Sequence, residues 1–296
     1  MADKDDIRIA KNYCPELHFS GGRPPEKIKG AGGLDWGMQR RMAHIFHPED
    51  GRTVMLAFDH GYFMGSTSGL ERLDILIPGL MDSVDVLMGT RGAFRTCVPA
   101  GNKCGLALRV SSGSSVLDDD LSHEVVAVGI EDALRLDADA MAVQVFIGAD
   151  GEKDSIRNLS ETVNAGLRYG IPTLGVVAVG KQMERTPRYF KLATRMIAEL
   201  GAQIVKTYFC DELDEIVAAC PVPIVLAGGK KLPEREALEM VARAVACGVA
   251  GVDMGRNVFQ SACPAGMARA VSMIVHGGVS AAEAFEAYTE EAHGKK

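Results

Sequence analysis

Eight short apolar runs recur after residue 52, and amphipathic segments separate many of them. The runs are rich in Val, Ile and Leu, and they are continuous rather than alternating, as expected for parallel strands covered on both faces. They lie at residues 53–59, 84–89, 104–110, 139–148, 172–180, 202–208, 222–229 and 249–255. Eight strand–helix units within about 250 residues match the size of a (β/α)8 barrel.

Several segments between the runs have the residues typical of helix boundaries, with proline at the start or glycine at the end. For example, the segment 187–201 begins at Pro187 and ends at Gly201. A doubly wound open sheet is the alternative, but AFDHGYFMG after the first run lacks the G-x-G-x-x-G fingerprint. We therefore predict an α/β fold, a single (β/α)8 TIM barrel with C-terminal helices over residues 51–296. An N-terminal arm and helix over residues 1–50 precede it.

Composition narrows the class of protein. A net charge of −7 argues against a nucleic-acid partner, which would require a basic face. The acidic start MADKDDIRIAK has no apolar signal region, and no run approaches the roughly 18 apolar residues of a membrane span. The seven cysteines are scattered and form no C-x-x-C pair. We expect a cytoplasmic protein with reduced thiols and no membrane partner.

Lys206 interrupts the end of the apolar run AQIVKTY. At the mouth of a barrel its ammonium would lose solvation, which favours the neutral amine. A neutral amine can attack a ketone to form an imine that accepts electrons from a breaking C–C bond. The alternative is a structural lysine that extends to solvent or pairs with a carboxylate.

Asp59 is the last residue of the first apolar run and His60 directly follows it, in AFDHG. Catalytic groups of barrels come from the carboxyl ends of strands, so this pair is a candidate for proton transfer or for orienting a substrate hydroxyl. The alternative is an aspartate that caps the following turn.

The loops after the seventh and eighth runs read AGGKK and MGRN. Gly228, Gly229 and Gly255 leave backbone N–H groups open to an anion, and Arg256 can donate two hydrogen bonds to phosphate oxygens. Barrels commonly bind phosphate with these two loops. The sequence therefore predicts a substrate phosphate site here.

No metal site is expected. His44 and His47 have H-x-x-H spacing, but catalytic zinc takes three protein ligands, and His60 is the histidine that ends a run.

Several long motifs in this chain resemble the archaeal-type class I aldolase (DeoC/FbaB) family. They are LDWGMQ, TVMLAFDHGYF, DVLMGTRG, AQIVKTY, CPVPIVLAGGKKLPEREALEM and GVDMGRNVFQ. The resemblance implies that Lys206 forms a Schiff base with Asp59 beside it. It also implies phosphate binding by the two glycine loops, and a homo-oligomer of rings such as a decamer.

Within the family, the chain is most similar to a thiolase branch of autoinducer-2 processing, which uses coenzyme A as co-substrate to cleave a phosphorylated diketone and needs no cofactor. The family's aldolases carry a proton-transferring tyrosine after the fifth strand, but VVAVGKQMERT (176–186) contains none. Lys181 or His60 could replace it in an aldolase. The alternatives are a class I fructose-bisphosphate-type aldolase and a non-catalytic barrel that binds a sugar phosphate.

Overall fold

The computed structural model describes residues 28–179 and 184–294. It contains a closed barrel of eight parallel strands, which confirms the predicted TIM barrel. The strands are β1 (Thr53–Ala57), β2 (Val86–Thr90), β3 (Gly105–Arg109), β4 (Ala140–Val145), β5 (Thr173–Val177), β6 (Ile204–Tyr208), β7 (Ile224–Ala227) and β8 (Gly251–Met254). Pairing of β1 with β8, with Thr53 opposite Gly251, closes the barrel.

The strands are buried on both faces, as their continuous apolar runs predict. Side chains such as Met55, Met88 and Val176 point inward and form a core inside the barrel. Side chains such as Leu56, Leu87 and Val177 point outward and pack in a second, larger core that also contains residues of the outer helices. Alternation along each strand produces the two cores, because successive side chains project to opposite faces.

Helices connect most of the strands and cover the barrel. Their bounds are Trp36–Ile45, Gly61–Met64, Leu73–Leu76, Arg91–Cys97, Ile130–Arg135, Glu152–Tyr169, Pro187–Glu199, Leu213–Ala219, Glu234–Ala246, Arg256–Phe259, Pro264–Val275 and Ala281–Gly294. Two short 3-10 helices lie at Ala31–Gly33 and Met81–Ser83. None of the described helices is long and apolar enough to cross a membrane.

The helix Trp36–Ile45 closes the end of the barrel where the strands begin. Asp35 starts it by accepting a hydrogen bond from Met38 N at 3.0 Å. Its buried residues Met42 and Ile45 pack into the core inside the barrel. The site is therefore confined to the opposite end, where the strands terminate.

A two-stranded antiparallel hairpin follows β3, and the apolar pattern did not predict it. It pairs Ser111–Ser112 with Val125–Val126. The residues between them form a loop beside the mouth of the barrel, where Val116 N donates to Phe63 O at 3.0 Å. Its strands have only two residues each, which is too short to produce an alternating apolar signal.

Candidate active site

A cavity of about 150 Å³ lies at the carboxyl end of the barrel. Its wall contains the predicted catalytic residues Lys206, Asp59 and His60 and the residues of the predicted phosphate site. Its polar side chains are Asp59, His60, Gln144, Lys206, Tyr208, Asp253 and Arg256, and Gly228, Gly229 and Gly255 contribute to its wall. The apolar part of the wall includes Phe63, Met64, Met88 and Val176.

Lys206 projects from β6 into the cavity, and its side chain is only 9% exposed. Its Nζ atom lies 2.8 Å from Oδ2 of Asp253, whose side chain is fully buried. Nζ also lies 3.5 Å from the sulfur of Met88. Lys206 is thus buried in the cavity, as the imine prediction requires, and it also pairs with a carboxylate, as the alternative of a structural lysine predicts. An amine attacks a carbonyl only after it has lost its proton, and Asp253 is the carboxylate within reach of that proton.

Asp253 is a suitable acceptor for that proton. Burial raises the pKa of Asp253, Lys206 lowers it, and the nearby negative charge of Asp59 raises it further. Its Oδ1 atom has no hydrogen-bond partner among the described residues. Asp253 was not predicted as a site residue, although it interrupts the apolar run VAGVDMG as Lys206 interrupts its own run.

Asp59 pairs with a buried arginine that was also not predicted as a site residue. Arg109, at the end of β3 and 1% exposed, donates from Nη1 to Asp59 Oδ2 at 2.6 Å. Its Nη2 atom donates to Glu124 Oε1 at 2.6 Å, and its Nε atom donates to Ser111 O at 2.7 Å. A guanidinium fixed on three sides leaves the Asp59 carboxylate little freedom to move.

The same network reaches β4. Ser111 Oγ donates to Glu124 Oε2 at 2.5 Å and accepts a hydrogen bond from Gln144 N at 3.0 Å. Tyr62 OH donates to Glu124 Oε1 at 3.1 Å, and burial raises the pKa of Tyr62 to about 12. The hairpin after β3 thus ties the wall at Gln144 to the carboxylate of Asp59.

His60 lies at the rim of the cavity. Its ring stacks on Phe259, with centroids 5.5 Å apart, and its Nε2 atom lies 3.2 Å from Thr67 Oγ1. Burial lowers the pKa of His60, whereas the negative charge of Asp59 raises it and the positive charge of Arg256 lowers it. A neutral imidazole can both accept and donate a proton, which suits the predicted role in proton transfer.

The two glycine loops lie side by side at the cavity wall. Gly229 has a left-handed backbone (φ 68°), and a Cβ atom at Gly255 would approach Ala57 O to 2.3 Å, so both positions require glycine. Asn257 joins the loops by donating to Gly228 O at 2.7 Å and accepting from Leu232 N at 2.7 Å. Arg256 extends into the cavity and pairs with no described carboxylate.

Tyr208 lies two residues beyond Lys206 on β6 and shares its side of the strand. Arg185 Cζ lies 4.3 Å from the centre of its ring. Its hydroxyl group makes no hydrogen bond to a described residue. Lys181, which we proposed as a replacement for the missing tyrosine, lies outside the described residues.

Within residues 28–179 and 184–294, no group of three or more His, Cys, Asp or Glu side chains could hold a metal ion. His44 instead lies at the far end of the barrel, where its Nδ1 atom contacts Asp139 Oδ1 at 3.0 Å.

Known proteins with similar sequences match nearly the whole chain. The model of the DeoC/LacD aldolase family matches residues 53–261. A 3-hydroxy-5-phosphonooxypentane-2,4-dione thiolase from Enterobacter sp. (strain 638) is 55% identical, over 100% of this chain and 99% of that protein. An uncharacterised aldolase from Pasteurella multocida (strain Pm70) is 53% identical, over 98% of this chain and 100% of that protein.

A solved structure supports the fold. An archaeal fructose-1,6-bisphosphate aldolase, whose catalytic Lys is bound covalently to the carbinolamine intermediate of its substrate, superposes with a TM-score of 0.73. The alignment covers 80% of this chain and 99% of that one at 22% identity, so it bears on the barrel alone.

Proposed function

The chain belongs to the DeoC/LacD aldolase family, and from this we propose that it is a thiolase acting through a lysine Schiff base. The substrate is 3-hydroxy-5-phosphonooxypentane-2,4-dione, and its acetyl group passes to coenzyme A. The products are acetyl-coenzyme A and dihydroxyacetone phosphate. The reaction belongs to the breakdown of the quorum-sensing signal autoinducer-2. The relatives named for this activity support the assignment, since one shares 55% of its residues with the whole chain.

The observation that carries the proposal is the placement of Lys206. Its amine lies inside a cavity, 2.8 Å from a carboxylate that can take its proton. Two glycine loops and Arg256 border the same cavity. A phosphate bound by these loops would determine which ketone of the substrate reaches the amine. Holding the two reacting groups in this geometry lowers the entropic cost of their reaction.

The first steps form the imine. Asp253 takes a proton from Lys206, and the amine attacks the ketone next to the phosphorylated carbon. Water leaves, and a protonated imine forms. Asp59 and His60, at the same cavity, handle the proton transfers to and from the leaving oxygen.

The later steps transfer the acetyl group. The thiolate of coenzyme A attacks the acetyl carbonyl carbon, and a C–S bond forms. The C–C bond between the acetyl carbon and the hydroxyl-bearing carbon then breaks, and its electron pair moves into the imine to give an enamine. Protonation at carbon and hydrolysis release dihydroxyacetone phosphate and restore the amine. The protonated imine is the electron sink, so this route requires no metal and no resident cofactor.

Borohydride reduction tests the imine directly. Treatment of the protein with dihydroxyacetone phosphate and borohydride should add the mass of the reduced adduct to the peptide that contains Lys206. An unchanged mass would contradict the Schiff base and favour a barrel that only binds sugar phosphates.

Dependence on coenzyme A separates thiolase from aldolase. Turnover of the phosphorylated diketone should require coenzyme A and yield acetyl-coenzyme A. An aldolase of the fructose-bisphosphate type would instead cleave an aldol substrate without it. The thiolase is favoured because no tyrosine occurs in residues 176–186, where the family's aldolases carry their proton-transferring group.

We also propose that the chain works as a homo-oligomer, such as a decamer, in the cytoplasm. Large apolar side chains on the outside of the protomer support an assembly, among them Trp36 at 75% exposure and Ile75 at 62%. The described cysteines from Cys97 to Cys263 are all free thiols, as expected in a reducing compartment. Light scattering of the purified protein would measure its mass.

A further inference from the structure

Two polar side chains of the cavity have no assigned role in this reaction, Gln144 and Tyr208. Neither side chain makes a hydrogen bond within the described part of the chain. The reaction itself has an unmet requirement, because attack of a thiolate on the acetyl carbonyl places negative charge on its oxygen. A hydrogen-bond donor aimed at that oxygen is normally a large contributor to such a step.

The order of the strands places Gln144 where the acetyl group must lie. Around the barrel wall, β7 and β8 precede β6, which is followed by β5 and then β4. The phosphate loops follow β7 and β8, Lys206 is on β6, and Gln144 is on β4. A substrate with its phosphate at one end and its imine carbon in the middle therefore directs its acetyl end toward β4.

The register sets the height of these side chains in the barrel. Gln144 pairs with Val176, and Val176 pairs with Lys206, so the three residues form one row across β4, β5 and β6. All three line the cavity. Neighbouring strands are about 4.8 Å apart, so the long side chains of Lys206 and Gln144 can meet above the short side chain of Val176. Val176 thus offers an apolar surface to the acetyl methyl group.

The backbone of Gln144 is also fixed independently. Its N–H group donates to Ser111 Oγ at 3.0 Å, at the point where β3 leaves the barrel wall and can no longer pair with β4. Ser111 donates a hydrogen bond to Glu124. Arg109 in turn donates hydrogen bonds to both Glu124 and Asp59. A preorganised donor costs little reorganisation at the moment of reaction, which is what makes such donors effective.

The chemistry of an amide suits a ketone rather than an alcohol. In an aldol cleavage the equivalent position is a hydroxyl group, which must give a proton to a base. In a thiolysis it is a carbonyl, which requires only a donor. The side chain of glutamine donates hydrogen bonds but does not accept a proton at neutral pH.

We infer that the carboxamide of Gln144 binds the acetyl carbonyl oxygen of the substrate and stabilises the alkoxide formed by thiolate attack, with Val176 against the acetyl methyl group. The inference rests on the proposed thiolase function and deepens it. It makes Gln144 a catalytic residue that distinguishes acetyl transfer from aldol cleavage in this barrel.

The test compares two reactions of each variant, because the product dihydroxyacetone phosphate forms the same imine but has no acetyl group. In Gln144→Ala, kcat for acetyl-coenzyme A formation should fall about 100-fold, as for loss of an oxyanion donor. The rate of borohydride trapping with dihydroxyacetone phosphate should stay within twofold. Gln144→Glu should lose more kcat than Gln144→Ala, because its carboxylate repels the developing alkoxide.

Gln260→Ala is the matched control, since Gln260 lies outside the cavity and bonds to Ser68 O. It should retain kcat. The inference is overturned if Gln144→Ala retains kcat within twofold, or if its imine trapping slows as much as its turnover, which would indicate a structural role. If the unsubstituted protein forms no acetyl-coenzyme A, the proposed function fails first and the inference falls with it.

Discussion

The amino-terminal end of the barrel, which we call the floor, and the mouth at its carboxyl end both carry polar side chains that are buried or half-buried. On the floor, the residue directly before β2, β4 and β6 accepts a hydrogen bond from the backbone of the preceding strand. Asp85 bonds to Val54 N at 2.6 Å, and Asp139 bonds to Leu106 N at 2.9 Å. Gln203, before β6, accepts a hydrogen bond from Thr173 N at 2.8 Å.

At the mouth, several polar groups instead face a cavity. Asp253 Oδ1 is buried and unbonded among the described residues, and the side chains of Gln144 and Arg256 face the cavity. Buried atoms without a described partner occur at both ends, because the hydroxyl groups of Thr53 and Thr173 at the starts of β1 and β5 are also unbonded. The mouth differs in that its polar groups are ionisable or amide groups that face a cavity, where a ligand can complete their bonding. The comparison teaches that the floor is built for stability and the mouth for binding and chemistry.

Removal of the amine should have the largest effect and tests the comparison most severely. Lys206→Met should lower kcat/KM by about 10⁴-fold or more, because no other group can supply the covalent electron sink. Borohydride trapping should vanish while circular dichroism stays native. Lys103→Met on the floor is the control and should retain full activity. Substantial turnover by Lys206→Met would remove the Schiff base from the mechanism.

Exchange of matched carboxylates should separate the two ends of the barrel. Asp253→Asn should lower kcat about 100-fold, because the amide cannot take the proton of Lys206, and it should slow imine trapping in parallel. Asp139→Asn on the floor should retain kcat but lose about 1–2 kcal/mol of unfolding free energy, because it weakens the bond to Leu106 N and the contact with His44. If both variants lost activity, or both lost only stability, the proposed difference between the mouth and the floor would be wrong.

Arg256→Ala should have a smaller effect, confined to binding. Loss of charge-assisted hydrogen bonds to phosphate should raise KM about 10- to 100-fold with little change in kcat. Inorganic phosphate should inhibit the unsubstituted protein competitively and this variant more weakly. Arg135→Ala, an exposed arginine of the floor, should change neither constant. An unchanged KM in Arg256→Ala would remove this arginine from the phosphate site.

The barrel could be predicted from the sequence because its strands are buried on both faces. The first run, 53–59, overlaps β1 at Thr53–Ala57, and its extra residues Phe58 and Asp59 lead into the site. The hairpin after β3 could not be predicted, because strands of only two residues leave no periodic signal. Its position depends instead on the tertiary contacts of Glu124 with Arg109 and Ser111.

The candidate site could be predicted where its residues follow strands, as Asp59 and the glycine loops do. Residues inside the runs were missed, although one signal would have found them. Arg109 in CGLALRV, Gln144 in DAMAVQVFIG and Asp253 in VAGVDMG each interrupt an apolar run, as Lys206 does. Sequence alone could not pair Lys206 with Asp253, because their strands β6 and β8 lie on either side of β7 and meet only through the curvature of the barrel.

The smallest predicted effect concerns the floor alone and depends on pH. His276, directly after the helix Pro264–Val275, lies between two carboxylates, with Nδ1 2.7 Å from Asp50 Oδ2 and Nε2 2.9 Å from Asp85 Oδ2. The hydrogen bond with Asp85 raises the pKa of His276 above its ordinary value of 6.5, and the bond with Asp50 adds to the rise, although burial opposes it. Burial raises the pKa of Asp50, but the hydrogen bonds from His276 and from the backbone of Arg52 outweigh it and lower this pKa below the ordinary value of 3.8.

These shifts fix the sign of the effect. A group whose pKa rises on folding stabilises the protein fully below its unfolded pKa, and this stabilisation is lost as pH rises through the folded pKa. His276→Gln should therefore lower Tm most between about pH 4 and 6.5, by roughly 2–4 °C for about 1 kcal/mol at this partly exposed site. The difference in Tm should shrink above pH 6.5 as the imidazole of the unsubstituted protein loses its charge.

The control is His293→Gln, because His293 is an exposed histidine near the chain end. Its Tm should show no such dependence on pH, and kcat should be unchanged in both variants. A difference in Tm that grows with pH would contradict a charged histidine on the floor, whereas a loss of kcat would show that the two ends of the barrel are not independent.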